Sequence, residues 1–147
     1  MDRLNQNFCF TIAAFAVIFD ELDRVFLCHR RDMDMWNLPG GGVESGEMPT
    51  EAVIREVREE TGLEVVIEKL TGIYGKNYKD ELVFTFICLI VGGEMTSTSE
   101  CSENQYFALE DLPQNTIQKH VERILDAKRT SNQPVFYRQT SPPTRQI

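Results

Sequence analysis

The strongest constraint on how this chain folds is a helix signal over residues 49–61. Pro49 suits the first turn of a helix, where its missing N–H leaves no hydrogen bond unmade, and Gly62 suits the left-handed position after the last turn. Shortly before this segment, the three glycines 40–42 exclude a regular helix or a central strand. We therefore expect a glycine loop that leads into an amphipathic helix.

The remaining sequence alternates between strand and helix signals. Apolar and β-branched runs predict strands over residues 8–19, 25–30, 63–73, 82–91 and 100–107. The polar residues 20–24 predict a turn that joins the first two strands into a hairpin. Apolar residues at offsets of three and four over residues 116–128 predict a second amphipathic helix. This order of elements predicts an α/β/α sandwich.

A chain of 147 residues suits one domain of ordinary size. We expect a single domain over residues 1–128. Residues 129–147 are rich in Ser, Thr, Gln and Pro and are expected to form a mobile C-terminal tail, with docking of residues 135–137 on the domain as the alternative.

The formal net charge of −8 disfavours broad nucleic-acid binding, because a polyanion would be repelled. The longest apolar stretches are too short to cross a bilayer as a helix. Residues 1–6 are polar and do not resemble a secretion signal. We expect a protein of the cytoplasm with no membrane span.

The four cysteines, Cys9, Cys28, Cys88 and Cys101, lie far apart and form no C-x-x-C pair. Such spacing is not typical of a zinc site or a disulfide framework. We therefore expect four buried, reduced thiols.

An acidic face is the main chemical signal of the predicted helix. Glu56, Glu59 and Glu60 share one face, next to the apolar face, whereas Arg55 and Arg58 flank this group without entering it. Like charges at this spacing repel one another, so a cation should compensate them. Clustered carboxylates suit Mg²⁺ or Mn²⁺, and a solvated acidic surface is the alternative.

The spacing of these residues resembles the Nudix box of the Nudix hydrolases. Gly41, Glu47 and the run over residues 55–63 match the box at every fixed position. The resemblance implies a Nudix-type α/β/α sandwich with a mixed β-sheet between helices. It also implies metal-dependent hydrolysis of a nucleoside diphosphate linked to another group.

The resemblance assigns metal binding to the helix carboxylates. Glu56, Glu59 and Glu60 correspond to the metal ligands of the family, and the backbone of Gly41 to a further ligand. The implied cofactor is Mg²⁺, with Mn²⁺ as the alternative.

The resemblance implies a structural ion pair and leaves the general base open. Glu47 corresponds to the glutamate that pairs with the box arginine, here Arg55, and braces the loop against the helix. The base is either a box glutamate, for which Glu59 is the candidate, or a carboxylate from a later loop. Glu103 fits that second role, and Glu100 competes with it.

Three residues outside the box are candidates for substrate binding. Arg30 and Arg31 end the second predicted strand just before the glycine loop and could reach the phosphates, with a solvated strand end as the alternative. Trp36 could stack on a base or could instead pack under the loop.

These features favour a magnesium-dependent pyrophosphohydrolase that acts on a small nucleotide. The substrate is left open among nucleotide sugars, ADP-ribose-like compounds and nucleoside triphosphates. A noncatalytic nucleotide-sensing module and an RNA 5′-end pyrophosphohydrolase are the alternatives. A homodimer is compatible with the sequence, which carries no signal for or against it.

Overall fold

The computed structural model of the chain describes residues 8–129 and 132–145. The polar N-terminal residues 1–6, discussed above as lacking a secretion signal, lie outside the described residues. The helices and strands, in chain order, are β1 (Thr11–Val17), β2 (Val25–Arg30), β3 (Trp36–Asn37), β4 (Gly40–Gly42), α1 (Pro49–Thr61), β5 (Leu63–Lys76), β6 (Glu81–Gly93), β7 (Cys101–Phe107), a 3₁₀ turn (Leu109–Asp111), α2 (Gln118–Lys128) and β8 (Val135–Gln139).

The strands form two sheets. The larger sheet has the order β4-β1-β6-β5-β8, and the smaller one has the order β3-β2-β7. In the larger sheet, β1 is parallel to β6 and β5 is parallel to β8, whereas the β1–β4 and β5–β6 pairs are antiparallel. The expected mixed sheet of an α/β fold is therefore confirmed.

Strand β1 separates two apolar layers because its side chains alternate between the faces of the sheet. Ala14 and Ala16 are fully buried in a cluster with Val57 of α1. On the other face, Val17 is fully buried in a cluster with Ile124 of α2. The helices thus cover opposite faces of this strand.

Within the described residues, no helix has the length and apolar character needed to span a bilayer.

Helix α1 has the bounds that the sequence predicts. The Glu51 carboxylate accepts a hydrogen bond of 3.0 Å from the Met48 amide at the start of the helix. Gly62 follows the helix with a φ of 79°, and a Cβ there would lie 2.4 Å from the carbonyl oxygen of Glu94. Only glycine fits this left-handed position, which fixes the end of the helix.

The predicted hairpin between the first two strands forms only at its turn, and its pairing does not extend into β1. Strands β1 and β2 lie in different sheets and are joined by an isolated bridge between Phe19 and Val25. Strand β1 instead uses both edges for distant partners, β4 and β6. The turn at Asp20 is still local, because its carboxylate accepts hydrogen bonds from the amides of Leu22 and Arg24.

Part of the segment expected to form a mobile tail belongs to the larger sheet. Residues 135–139 form β8, which is parallel to β5 from Gly72 to Lys76. For residues 135–137, the alternative that they dock on the domain therefore agrees with the structure. Residues 130–131 and 146–147 of the expected tail lie outside the described residues. Hydrophobic patterning did not reveal this strand because it is short and alternates between half-buried and exposed positions.

Arg145 connects the end of the described chain to α2. Its guanidinium donates to Asp126 Oδ2 at 2.7 Å and to Glu122 Oε2 at 3.3 Å. The side chains of Glu122 and Asp126 are 1% and 0% exposed. The Tyr74 hydroxyl also donates to Asp126, at 2.7 Å, which ties this group to β5.

Replacing Arg145 by Ala is expected to lower the free energy of unfolding by about 2 kcal/mol, because two buried carboxylates lose their closest cation and Asp126 keeps only its 3.5 Å contact with Arg129. We expect a smaller loss of stability than for a fully buried ion pair, because the Arg145 side chain is 21% exposed. Urea unfolding at pH 7 measures this change. The exposed Arg138 on β8 provides the control, Arg138→Ala, and equal stability of the two variants would contradict a role for the Arg145 ion pairs.

Candidate active site

Three carboxylates meet at the end of α1. One oxygen from each of Glu56, Glu60 and Glu100 lies within 4.8 Å of the other two. Glu56 and Glu60 are one turn apart on α1, and Glu100 immediately precedes β7. The structure thus brings together Glu56 and Glu60, two of the three carboxylates predicted on the helix, and Glu100. Glu100 competes with Glu103 as the predicted general base from a later loop.

The glycine strand β4 lies directly against these carboxylates. The Gly40 amide donates to Glu60 Oε2 at 2.9 Å. A Cβ built on Gly41 would lie 2.8 Å from the Glu56 carboxyl carbon, closer than a real side chain could stand. Glycine at this position therefore lets the Glu56 carboxylate reach the backbone of β4.

The cluster is electrostatically unfavourable without a cation. Burial raises the pKa of Glu60 to about 9, and the carboxylates of Glu56 and Glu100 act in the same direction. Burial also raises the pKa of Glu56, against the opposing effect of Arg55. Three crowded oxygen donors, two of them poorly hydrated, are the ligands that a hard divalent cation prefers.

Arg55 lies among the acidic side chains, so the prediction that it only flanks them is wrong. Its Nε and Nη2 donate to the two oxygens of Glu47 at 2.7 and 3.0 Å, and its Nη1 donates to Glu56 at 3.0 Å and Glu59 at 3.2 Å. The helical wheel places the Cα atom correctly but ignores the length of the side chain. Hydrogen bonds from Arg55 lower the pKa of Glu47 to about 2.

Glu59 lies outside the cluster of three. Its side chain is 50% exposed, and its carboxylate accepts a hydrogen bond from Arg55. The ion pair between Glu47 and Arg55 that the resemblance implies is present, and Arg55 Nη2 also donates to the Gly42 carbonyl at 3.1 Å. These contacts join the segment after β4 to α1.

Thr98 attaches the segment that carries Glu100 to α1. Its hydroxyl donates to the Glu60 carbonyl at 2.9 Å and accepts a hydrogen bond from the Cys101 amide at 3.2 Å. Arg31 Nε donates to the Thr98 carbonyl at 2.5 Å, and the Arg31 amide donates to the Glu100 carbonyl at 3.2 Å. Backbone and side-chain contacts together thus hold Glu100 over the helix.

A cavity of about 570 Å³ opens beside the carboxylates. Arg30 and Arg31 both line it, as do Glu60 and Glu100. Asp32 accepts hydrogen bonds of 2.8 and 2.5 Å from the Arg30 guanidinium. The two predicted phosphate-binding arginines therefore lie at the same cavity as the acidic cluster.

Two other predicted residues lie away from this cavity. Trp36 is 9% exposed and packs edge to face against the rings of His29 and Phe107. Its position therefore agrees with the alternative that it packs inside the protein and does not stack on a base. Glu103 is exposed and stands opposite His29 in the β2–β7 pair. Since His29 follows the cavity-lining Cys28, Glu103 lies on the other face of this sheet.

A second cavity of about 580 Å³ adjoins the first, because Phe15 and Gly41 line both. Its wall carries Lys76, Lys119 and the exposed ring of Tyr78. The two cavities thus share part of their walls at β1 and β4.

Comparison with known proteins gives one consistent result. A family model described as the NUDIX domain matches residues 10–127. A MutT-like protein from Streptomyces ambofaciens is 31% identical over 117 residues, which cover 80% of this chain and 76% of the relative. An ADP-ribose pyrophosphatase from Methanocaldococcus jannaschii is 33% identical over 122 residues, which cover 78% and 72% of the two chains.

The solved structures agree with this result. The crystal structure of an ADP-ribose pyrophosphatase from Streptococcus suis superposes with a TM-score of 0.73 and 27% identity, covering 86% of this chain and 98% of the other. The fold therefore has the same arrangement as that of a solved Nudix structure. The chain belongs to the Nudix family and is a Nudix hydrolase, which confirms the resemblance seen in residues 41–63.

Proposed function

We propose that this protein hydrolyses the diphosphate linkage of a nucleoside diphosphate joined to another group, with Mg²⁺ or Mn²⁺ held by Glu56, Glu60 and Glu100. The observation that carries the proposal is the approach of these three carboxylates to within 4.8 Å at a cavity that Arg30 and Arg31 line. Anionic and cationic side chains at one cavity suit a metal-bound diphosphate.

The residues present fit a hard divalent cation. Gly41 has no room for a side chain next to the Glu56 carboxylate, so the backbone of β4 and this carboxylate can share one ligand. We place Glu59 beside this group, as a ligand or as the base. When bound, the cation would neutralise diphosphate charge and lower the pKa of a water molecule.

The arginines at the cavity would orient the substrate. Arg30 is held by Asp32 in the free protein, so a phosphate would have to replace Asp32 as its partner. Arg31 already holds Thr98 through its Nε, and its remaining guanidinium donors can face a phosphate oxygen. Both contacts would stabilise charge on the leaving phosphate.

A carboxylate must accept the proton of the attacking water. Glu59, Glu103 and Glu100 are the candidates named by the sequence. Glu59 is half-exposed on the helix that carries the cluster, whereas Glu103 lies on the opposite face of its sheet. We therefore propose Glu59 as the proton acceptor and Glu100 as a metal ligand.

The second cavity would receive the group beyond the diphosphate. It shares Phe15 and Gly41 with the first cavity, and its lysines and the Tyr78 ring suit a polar sugar or a ring system. Since two of the relatives described above are named ADP-ribose pyrophosphatases, ADP-ribose is the first compound to test.

The direct test is incubation of the purified chain with Mg²⁺ and a panel of ADP-ribose, UDP-sugars, nucleoside triphosphates and 5′-triphosphorylated RNA. Chromatography and mass spectrometry identify both products. Two phosphate-containing products from a diphosphate compound support the proposal. Tight binding without products favours the sensing module, and activity on RNA alone with a steep loss of binding in salt favours the RNA enzyme.

Uptake of Mn²⁺ by the wild-type protein is expected to release about one proton at pH 7, because Glu60, with its pKa near 9, must ionise to bind a cation. The same shift makes the metal-free fold less stable as pH rises from 4.5 to about 9, since the unfolded chain has already lost this proton. Calorimetry in buffers of different ionisation enthalpy measures the release. Glu68→Gln, at an exposed position of β5, should retain it, and uptake without proton release would contradict the assignment.

A further inference from the structure

Two thiols lie side by side in the wall of the cavity that holds the carboxylates. Cys28 Sγ donates to Asn104 Oδ1 at 3.2 Å, and Cys101 Sγ donates to the same oxygen at 2.8 Å. The two sulfurs therefore share one acceptor atom, which brings both thiols to the same side chain. All the cysteines are free, and these two line the cavity beside Glu60 and Glu100.

A β-bulge creates this thiol pair. Cys28 stands opposite Asn104 and His29 opposite Glu103, but Arg30 stands opposite Cys101, so that one residue of β7 is skipped. In a regular ladder, Cys101 would face the other side of the sheet. The bulge turns its side chain to the face of Cys28, which is a known effect of such insertions.

We propose that Cys28 and Cys101 are a modification site, which a hydroperoxide oxidises to a disulfide that weakens cation binding by the adjacent carboxylates. In the first step, one thiolate attacks the peroxide oxygen, which gives a sulfenic acid and releases an alcohol or, from hydrogen peroxide, water. In the second step, the other thiol displaces water from the sulfenic acid. The two sulfurs together lose two electrons, which reduce the O–O bond.

Formation of the disulfide would disturb Glu100 because Cys101 is the next residue. A disulfide holds its sulfurs about 2.05 Å apart, closer than any non-bonded contact, so β7 would be drawn toward β2 at this point. The bond also removes both thiol donors from Asn104, whose amide otherwise anchors the chain by donating to the Thr96 carbonyl at 3.0 Å. The carboxylate of Glu100 would then no longer lie next to that of Glu60.

The effect on cation binding depends on the proposed metal site, but the chemical modification does not. The other two cysteines serve as controls. Cys9 is exposed, so the expectation that all four thiols are buried is wrong for this residue, whereas Cys88 is buried with its thiol 3.9 Å from the Phe86 carbonyl. A full-length Cys9→Ser chain removes the exposed thiol, which could join two copies. Cys88→Ser provides the matched control for a buried thiol outside the pair.

The experiment treats the Cys9→Ser chain with hydrogen peroxide and follows intact mass, peptide maps and Mn²⁺ binding by calorimetry. The expected result is loss of two hydrogens, a peptide link between residues 28 and 101, and Mn²⁺ affinity weaker by at least ~10-fold, all reversed by dithiothreitol. Adding Cys28→Ser or Cys101→Ser should abolish the reversible response, and adding Cys88→Ser should not.

Two results would overturn the proposal. Oxidation that yields only sulfinic or sulfonic acids, without the 28–101 link, would show that the thiols are not a pair. A complete link that leaves Mn²⁺ affinity unchanged would show that the bond does not affect Glu100. Failure of the reduced chain to bind Mn²⁺ would instead contradict the proposed metal site, while the mass measurement would still decide whether the disulfide forms.

Discussion

Replacing Glu60 by Gln should reduce kcat by at least ~10²-fold, because a neutral amide cannot supply the negative charge that a divalent cation requires. The fold should survive this change. Because burial raises the pKa of Glu60 to about 9, we expect this carboxyl to be protonated in the metal-free protein at neutral pH. The glutamine oxygen can also accept the hydrogen bond from the Gly40 amide.

Steady-state kinetics with Mg²⁺ and calorimetry with Mn²⁺ measure the effect of Glu60→Gln on the same preparations. The exposed Glu68 on β5 provides a matched control, since Glu68→Gln makes the same change from carboxyl to amide outside the cluster. A near wild-type kcat for Glu60→Gln, with the fold verified by circular dichroism, would count against the assigned metal site.

Replacing Glu100 by Gln should also reduce kcat by about 10²-fold, whereas Glu103→Gln should stay close to wild type. Glu100 contributes the third carboxylate of the cluster, but Glu103 stands opposite His29 on the other face of the β2–β7 sheet. The two variants lie three residues apart and carry the same change, so each controls for the other.

The ratio of the two kcat values decides which glutamate acts at the site. Metal dependence adds a second measurement, because loss of a ligand raises the concentration of Mg²⁺ needed for half-maximal activity. A large loss in Glu103→Gln together with wild-type behaviour of Glu100→Gln would restore Glu103 as the later-loop carboxylate and contradict the placement of Glu100.

Local signals predicted the centre of this molecule well. Pro49 and Gly62 mark both ends of α1, and helical spacing alone brings Glu56 and Glu60 to one face. The glycine segment 40–42 could be identified by residue type, but its role as an edge strand beside β1 could not. The difference arises because helix ends depend on neighbouring residues, whereas strand pairing depends on distant ones.

The parts of the site that depend on distant contacts were not predictable in the same way. The sequence favours Glu103 over Glu100 as the later-loop carboxylate. It does not show their different environments, because the bulge that separates them arises only when β7 pairs with β2. Thr98 carried no sequence signal, yet its hydroxyl joins α1 to the segment before β7. Similarly, the reach of Arg55 to Glu47 depends on side-chain length and not on its angle around the helix.

The position of β8 has a practical consequence for shortened versions of this protein. The family match ends at residue 127, but the larger sheet continues to Gln139. Cutting the chain at the limit of the match would remove β8 and leave unpaired those backbone N–H and C=O groups of β5 that face it along residues 72–76, an open template for aggregation. Expression of the catalytic unit should therefore retain the C-terminal residues, and a purification tag belongs at the opposite terminus.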